Sequence, residues 1–414
     1  MFLHFFKNTF FIFSTVLVSC ISQPDAKKKS EEVSVSTEVK SPPTEEKIVV
    51  VGANQTELYL TGLRGKKVGI VGNQTSVIFK ENGHFTHLVD SLKSRNINIT
   101  KVFSPEHGFR GKADAGEKVA NNIDTKTGIP IVSLYGNNKK PTDEQLHDID
   151  ILVFDIQDVG VRFYTYISTL HYVLQAAAEN NIEVMVLDRH NPNGHYIDGP
   201  MLEKEHQSFV GMHPVPVVHG MTIGEYAQMI VGENWIETTQ KPQLTVIKVK
   251  NYNKNQFYSL PIKPSPNLPN DLAINLYPSL CFFEGTNVNA GRGTENQFQV
   301  FGSPFLNPEK FSYSYIPIAN EGAKNPKHLG KTCYGEDLTN ANMLDHINLD
   351  WLIKAYQNTS KKEEFFNSFL TKLAGTKQLQ QQIEAGKTAN EIRLSWQADL
   401  QAYDKMREKY LMYQ

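Results

Sequence analysis

The sequence predicts an α/β protein built on an open, doubly wound parallel sheet of the broad Rossmann-like class. Three observations carry that expectation. Short β-branched runs recur from about residue 67, helix-period or polar segments separate them, and each run ends in a cluster of small and polar residues. Such clusters sit where an open parallel sheet places its ligand-binding loops, beyond the carboxyl ends of the strands. KVGIV opens the series and INITKVF, IPIVSLY, DILVFDI and IEVMVLD follow; near-continuous apolar runs of this length read as five strands buried on both faces. Between the fourth and fifth, residues 164–181 carry Ile167, Leu170, Leu174, Ala177 and Ala178 at helical spacing. Asn180 and Asn181 close that segment with side chains that tolerate a C-terminal turn. Repeated β-α-β units of this kind call for right-handed crossovers.

Further along, SLPIKPSPNLPND places Pro261, Pro264, Pro266 and Pro269 within nine positions. Proline removes a backbone donor and fixes φ, so the segment excludes helix and favours extended backbone. It marks a crossing between two domains, 48–262 and 263–414. Beyond it SLCFFEG and QFQVFG read as strands, after which the chain is expected to be helical to its end. Thr388 and Glu391 fit a capping box, and Ile392, Trp396, Leu400, Tyr403, Met406 and Tyr410 form one stripe suited to core packing.

The chain has 414 residues, with 42 Lys+Arg against 44 Asp+Glu and a formal net charge of -2. That length supports two cores, and the charge balance supplies no basic field, so nucleic acid is not an expected partner. The opening MFLHFFKNTFFIFSTVLVSC sets one Lys before a nearly uncharged apolar stretch and reads as an export signal. Its end, Leu17-Val18-Ser19-Cys20, resembles the bacterial lipobox, which makes Cys20 the candidate lipidation site at the mature N-terminus and the membrane a partner through a lipid anchor. A plain secretory signal is the alternative; either way the protein is expected outside the cytoplasm, periplasmic or on the outer membrane. Residues 21–47 lack aromatics and mix both charge signs with Ser, Thr and Pro, so they read as a disordered tether with a reach of roughly 30 Å. An oxidising compartment would permit Cys281 and Cys333 to pair; Cys281, within SLCFF, reads as a buried small hydrophobe.

Neither GxxxxGK[ST] nor GxGxxG occurs near Gly69–Gly72, so no nucleotide cofactor is expected. None of the 13 His falls in HExxH, and Pro and Gly interrupt the span from His190 to His195, so no metal is expected. GxSxG is absent as well. Carboxylates remain: Glu106, Asp155 and Asp158 in strand-end loops, and Glu284 and Glu295 further on, all among Gly, Asn, Arg and aromatic residues. Two carboxylates in unequal environments supply the acid and the base or nucleophile of glycoside hydrolysis.

SPEHGFRG, FDIQDVGVRFYTY, LDRHNPNG with the following DGPML, and FEGTNVNAGRGTENQFQVFGSP occur in that order. Over about residues 58–414 the chain resembles the NamZ-type exo-β-N-acetylmuramidases. The resemblance implies a Rossmann-like N-terminal domain, a second, smaller α+β domain and an active-site cleft between them. It also implies release of N-acetylmuramic acid from the non-reducing ends of peptidoglycan fragments, with the Glu of the EHG motif, here Glu106, as leading catalytic residue.

Roles then follow from residue chemistry. Glu106, after a strand and Pro105 and near Gly108 and Gly111, suits a sheltered general acid; its bland alternative is a loop-fixing ion pair with Arg110. His107 either touches substrate or Glu106, or is satisfied by nearby backbone. Glu295 is favoured over Asp155 and Asp158 as the second carboxylate because it brings in the opposite domain, while Asp155 equally suits a helix cap. Muramic acid carries a lactyl carboxylate, which Arg binds bidentately, so Arg110, Arg162, Arg189 and Arg292 are candidates for it or for internal ion pairs. Tyr135, Tyr164 and Tyr166 offer flat faces to a sugar, and Asn73, Asn191 and Asn287 offer partners for hydroxyls or the acetamido group. Two rival classes stay open at this level: a lipid-tethered solute-binding protein and a catalytically silent wall-binding module. A binder has no carboxylate whose neutral replacement stops turnover while binding persists.

Overall fold

In the computed structural model, which describes residues 48–106, 108–110 and 122–414, all five expected runs become strands of one sheet. In chain order the strands are β1 (Val68–Gly72), β2 (Val77–Phe79), β3 (Phe85–His87), β4 (Ile99–Ser104), β5 (Asn122–Ile123), β6 (Pro130–Ser133), β7 (Ile151–Asp155), β8 (Glu183–Leu187), β9 (Gln243–Ile247), β10 (Val300–Ser303), β11 (Tyr313–Tyr315) and β12 (Cys333–Asp337). The main sheet runs β5-β6-β4-β1-β7-β8-β9. Its six longer strands pair in parallel, and β5 joins the edge antiparallel to β6. The chain works outward from β1 through β4 to β6, then returns to the other side of β1 at β7. The topological switch point, where such sheets bind ligands, therefore lies between β1 and β7.

Alternation along the strands divides the core between two faces, because successive side chains point to opposite sides. Val68, Ile70, Val102, Ile151 and Val153 pack on one face, and Val71, Phe103, Leu152 and Phe154 on the other. The helix Tyr166–Glu179 follows β7 and buries Ile167, Leu170, Leu174, Ala177 and Ala178 as its spacing requires. Asn180 caps it, and Asn181 turns the chain at φ 54. The face it covers continues into the second half of the chain: Phe163 meets Tyr277 and Phe282 edge to face, at 5.4 and 6.0 Å. Residues Lys47–Gln414 form one compact unit by contact.

Three expectations need correction. SLCFFEG is not a strand: helix Asp271–Leu280 runs into a 3-10 turn, Cys281–Gly285, and the Asn270 side chain caps it by accepting from the Ala273 N–H. The segment is buried on nearly every side, so its unbroken apolar run carries no period to tell helix from strand. QFQVFG becomes β10 only from Val300, and the chain beyond it is not all helical. β11 and β12 come first and build a three-stranded antiparallel sheet in the order β10-β12-β11. The terminal helix is two, Ala389–Leu394 and Gln397–Glu408. Its stripe still packs as one: Ile392, Trp396, Leu400 and Tyr403 are buried, with Met406 and Tyr410 against them. Cys281 and Cys333 are buried free thiols.

Candidate active site

The loop after β4 carries Glu106. Pro105 ends the strand, and Gly108, at φ 74, returns its N–H to the Pro105 carbonyl at 3.1 Å. Glycine adopts that backbone at no steric cost. The Glu106 carboxylate accepts from the Tyr135 hydroxyl at 3.0 Å, and the Thr165 hydroxyl stands 3.5 Å from its other oxygen. Tyr135 follows β6, and Thr165 precedes the helix after β7. Loops from the carboxyl ends of three parallel strands thus converge on one carboxyl group.

Glu106, Tyr135, Phe163 and Thr165 form one wall of a cavity of ≈ 830 Å³, and the later half of the chain supplies Glu284, Asn289, Arg292, Lys324 and Lys327 to it. Its volume lies in the range of small-molecule sites. The Arg292 Nε donates to Glu284 at 2.7 Å, each side chain about 25% exposed, and its guanidinium lies 5.1 Å from the centre of the Phe298 ring. Burial works to raise the Glu284 carboxyl, but the charges of Arg292 and Lys327 outweigh it and hold the group below the ordinary carboxylate range. Lys327 is fixed in turn by the carbonyls of Phe283, Thr286 and Val288, at 3.0, 2.6 and 2.9 Å. The cavity therefore sets one carboxyl held by hydroxyls against one held ionised by two cations.

Several sequence candidates serve the frame instead. Asp155 and Arg189 form a bidentate pair at 2.7 and 3.0 Å, essentially without exposure, so Asp155 neither caps a helix nor meets the cavity. Arg162 is fully buried and donates to the carbonyls of Pro200, Val215, Leu373 and Ala374. Arg110 pairs with Asp90 and Asp124 at 3.1 and 2.7 Å, so it is not the Glu106 partner. Asp158 is buried, accepting from the Gly160 N–H at 2.7 Å. Asn73 holds the turn after β1 and donates to the Tyr166 hydroxyl at 2.8 Å, and Asn191 holds Met221 and Asn193. Asn287 and Glu295 line neither this cavity nor the smaller one beside it, and Glu295 points to solvent. The smaller cavity takes in Tyr164 and Tyr166 together with Glu106 and Arg292. His107 and Cys20 lie outside the described residues.

Thr165, Asn289, Lys324 and Lys327 were not legible as site residues. Thr165 sits within FDIQDVGVRFYTY, whose tyrosines are the louder signal, and Asn289 within FEGTNVNAGRG, where Glu284, Asn287 and Arg292 drew the attention; Lys324 and Lys327 come from a loop with no period and no recognisable spacing. Among the described residues, Glu203, Glu205 and His206 bring possible metal-ligand atoms within 4.8 Å of one another, and none of the three lines either cavity.

Comparison with known proteins covers nearly all of the described body. A family model described as the N-terminal part of exo-beta-N-acetylmuramidase NamZ matches residues 68–272, and one described as its C-terminal part matches residues 275–413. The chain is 40% identical over 375 residues to the peptidoglycan beta-N-acetylmuramidase NamZ of Bacillus subtilis (strain 168), covering 86% of this chain and 89% of that protein. Two solved structures from Bacteroides fragilis NCTC 9343, both described as DUF1343 family proteins, share the fold. One has a TM-score of 0.81 at 45% identity, covering 89% of this chain and 99% of that one. The other has a TM-score of 0.73 at 28% identity, with coverage of 88% and 99%.

Proposed function

The chain belongs to the exo-β-N-acetylmuramidase NamZ family, and from that membership we propose that it is a glycoside hydrolase releasing N-acetylmuramic acid from the non-reducing ends of peptidoglycan fragments by carboxylate acid–base catalysis. One observation carries the mechanism: Glu106 stands at the carboxyl end of β4, oriented by Tyr135 and Thr165, in a cavity whose other half bears the Glu284–Arg292 pair. Glu106 donates its proton to the glycosidic oxygen as the bond to the leaving sugar breaks, and water then completes the hydrolysis by bonding to the anomeric carbon and giving up a proton to a carboxylate. Glu284, kept ionised by Arg292 and Lys327, replaces Glu295 as the second carboxylate and offsets the positive charge that develops on the ring. Among the described residues Arg292 uses only Nε for a hydrogen bond, which leaves its terminal nitrogens to meet the lactyl carboxylate.

The N-terminal sequence supports the rest of the reading: export, lipidation at Cys20, and residues 21–47 as a tether that holds the enzyme near a membrane. Among the described residues no helix is long and apolar enough to cross a membrane.

Proton NMR of an N-acetylmuramyl–glucosamine disaccharide tests the assignment. Wild type should release muramic acid, and Glu106→Gln should slow release by roughly a hundredfold or more. The first anomer formed reports retention or inversion. Equal release by both proteins would remove Glu106 from the mechanism.

A further inference from the structure

A second cavity, of ≈ 70 Å³, adjoins the first and shares Glu106 and Arg292 with it; Tyr166, Asn267, Leu268 and Phe298 close it. That is room for a few heavy atoms and not for a sugar ring. Leu268 and Phe298 are each 1% exposed, and Phe298 holds its place at φ 52, a left-handed backbone that bulky residues rarely adopt.

Asn267 adds a buried carboxamide to the polar lining that Glu106, Thr165, Tyr166, Ser265 and Arg292 give this alcove. It is 2% exposed, and its Nδ2 donates to the Gly322 carbonyl at 2.6 Å. That bond fixes which end of the carboxamide is which. The other end, Oδ1, is buried and has no hydrogen-bond partner among the described residues. Buried acceptors are rarely left without a donor, because desolvation is then uncompensated. The loop around it is already pinned: the Asn267 N–H donates to the Ser265 hydroxyl at 3.2 Å, and the Tyr164 hydroxyl to the Pro264 carbonyl at 2.8 Å. Gly322 points the same way. A Cβ there would meet Asn267 Oδ1 at 2.8 Å, although the Gly322 backbone is not left-handed. Gly322 also lines the larger cavity, so a side chain at that position would crowd both the cavity and the buried oxygen.

We propose that this alcove receives the 2-acetamido group of the sugar at the non-reducing end, its N–H donating to Asn267 Oδ1 and its methyl resting on Leu268 and Phe298. The inference rests on the hydrolase reading above and names what that site selects. An orphan acceptor calls for a donor, which excludes the lactyl carboxylate as its partner. A hydroxyl would donate as well but would leave the apolar walls unfilled, whereas an acetamido group meets both.

Calorimetric titration of the full chain tests this with three sugars: N-acetylmuramic acid, its N-butanoyl analogue and its 2-deoxy analogue. Wild type should bind the N-acetyl sugar about tenfold or more tighter than either analogue. Asn267→Leu should bring the N-acetyl and 2-deoxy sugars to within about threefold of each other, and Leu268→Ala should recover binding of the N-butanoyl sugar. Equal binding of all three sugars by wild type overturns the proposal, as does a preference that survives Asn267→Leu. If Asn267→Leu fails to fold, Leu268→Ala decides alone, and no gain for the N-butanoyl sugar overturns it. Disaccharide turnover followed in parallel separates the two readings. Turnover without acetyl preference removes the alcove assignment only; acetyl preference without turnover removes the hydrolase and leaves the alcove standing.

Discussion

Arg162 and Asp158 show how burial sorts the charged residues of the strand-end loops. Four carbonyls surround Arg162, drawn from positions 200, 215, 373 and 374, so its charge ties distant segments together. Asp158 has the Gly160 N–H on one oxygen and, among the described residues, no hydrogen bond to the other. Burial pushes its carboxyl up to about 7, against the pull of the Gly160 and Val159 N–H groups. His219, 3.7 Å away, is pushed down to about 3 by burial and offers no positive charge at neutral pH. A carboxyl whose folded pKa exceeds its unfolded value of about 3.8 contributes stability that is full below about 3.8 and lost as pH rises through about 7. Asp158→Asn keeps an acceptor for Gly160 and does not titrate. Its melting temperature relative to wild type should therefore climb between pH 5 and pH 8, by about 1–2 °C for each kcal/mol in a body of this size. Asp188, also pushed to about 7 by burial, is common to both proteins and cancels. Scanning calorimetry at the two pH values checks this, and a constant difference would contradict it.

Strands and helices were legible in proportion to the period they carry. The five inner strands announce themselves as β-branched runs because both faces are buried. β9 carries Thr245, Val246 and Ile247 in a row but is exposed or half-buried along most of its length, and it went unread at the sheet edge. SLCFFEG misleads for the opposite reason, since a segment buried all round looks the same as helix or strand. Caps were the most readable of the local signals. Thr388 accepts from the Glu391 N–H at 3.3 Å, and Glu391 accepts from the Thr388 N–H at 2.8 Å, as the spacing implied. Thr388→Ala should lower stability by about 1 kcal/mol, seen as a lower urea midpoint at unchanged turnover, and Thr388→Ser should restore most of it. A loss that serine does not recover would mean the threonine acts through packing instead.

Across the whole molecule, one core cluster holds Val161 and Phe163 beside Phe298, Leu373 and Tyr403, so the two halves of the sequence share their interior. Contacts set Lys47–Gln414 apart as a unit of its own. A 48–414 fragment should accordingly melt within about 1 °C of the full chain and cleave soluble disaccharide at the same rate; a marked loss of either would give residues 1–47 a part in the fold. The cavity was the least legible level of organisation, because closeness in space between Glu106, Glu284 and Lys327 leaves no trace in their spacing. The recognisable motifs around Glu106 and around Glu284 and Arg292 pointed there, while Lys324 and Lys327 came from a segment without one. Cavity-lining residues extend from Glu106 to Leu373. A polypeptide made amino end first therefore has no complete cleft until about nine-tenths of it has been synthesised.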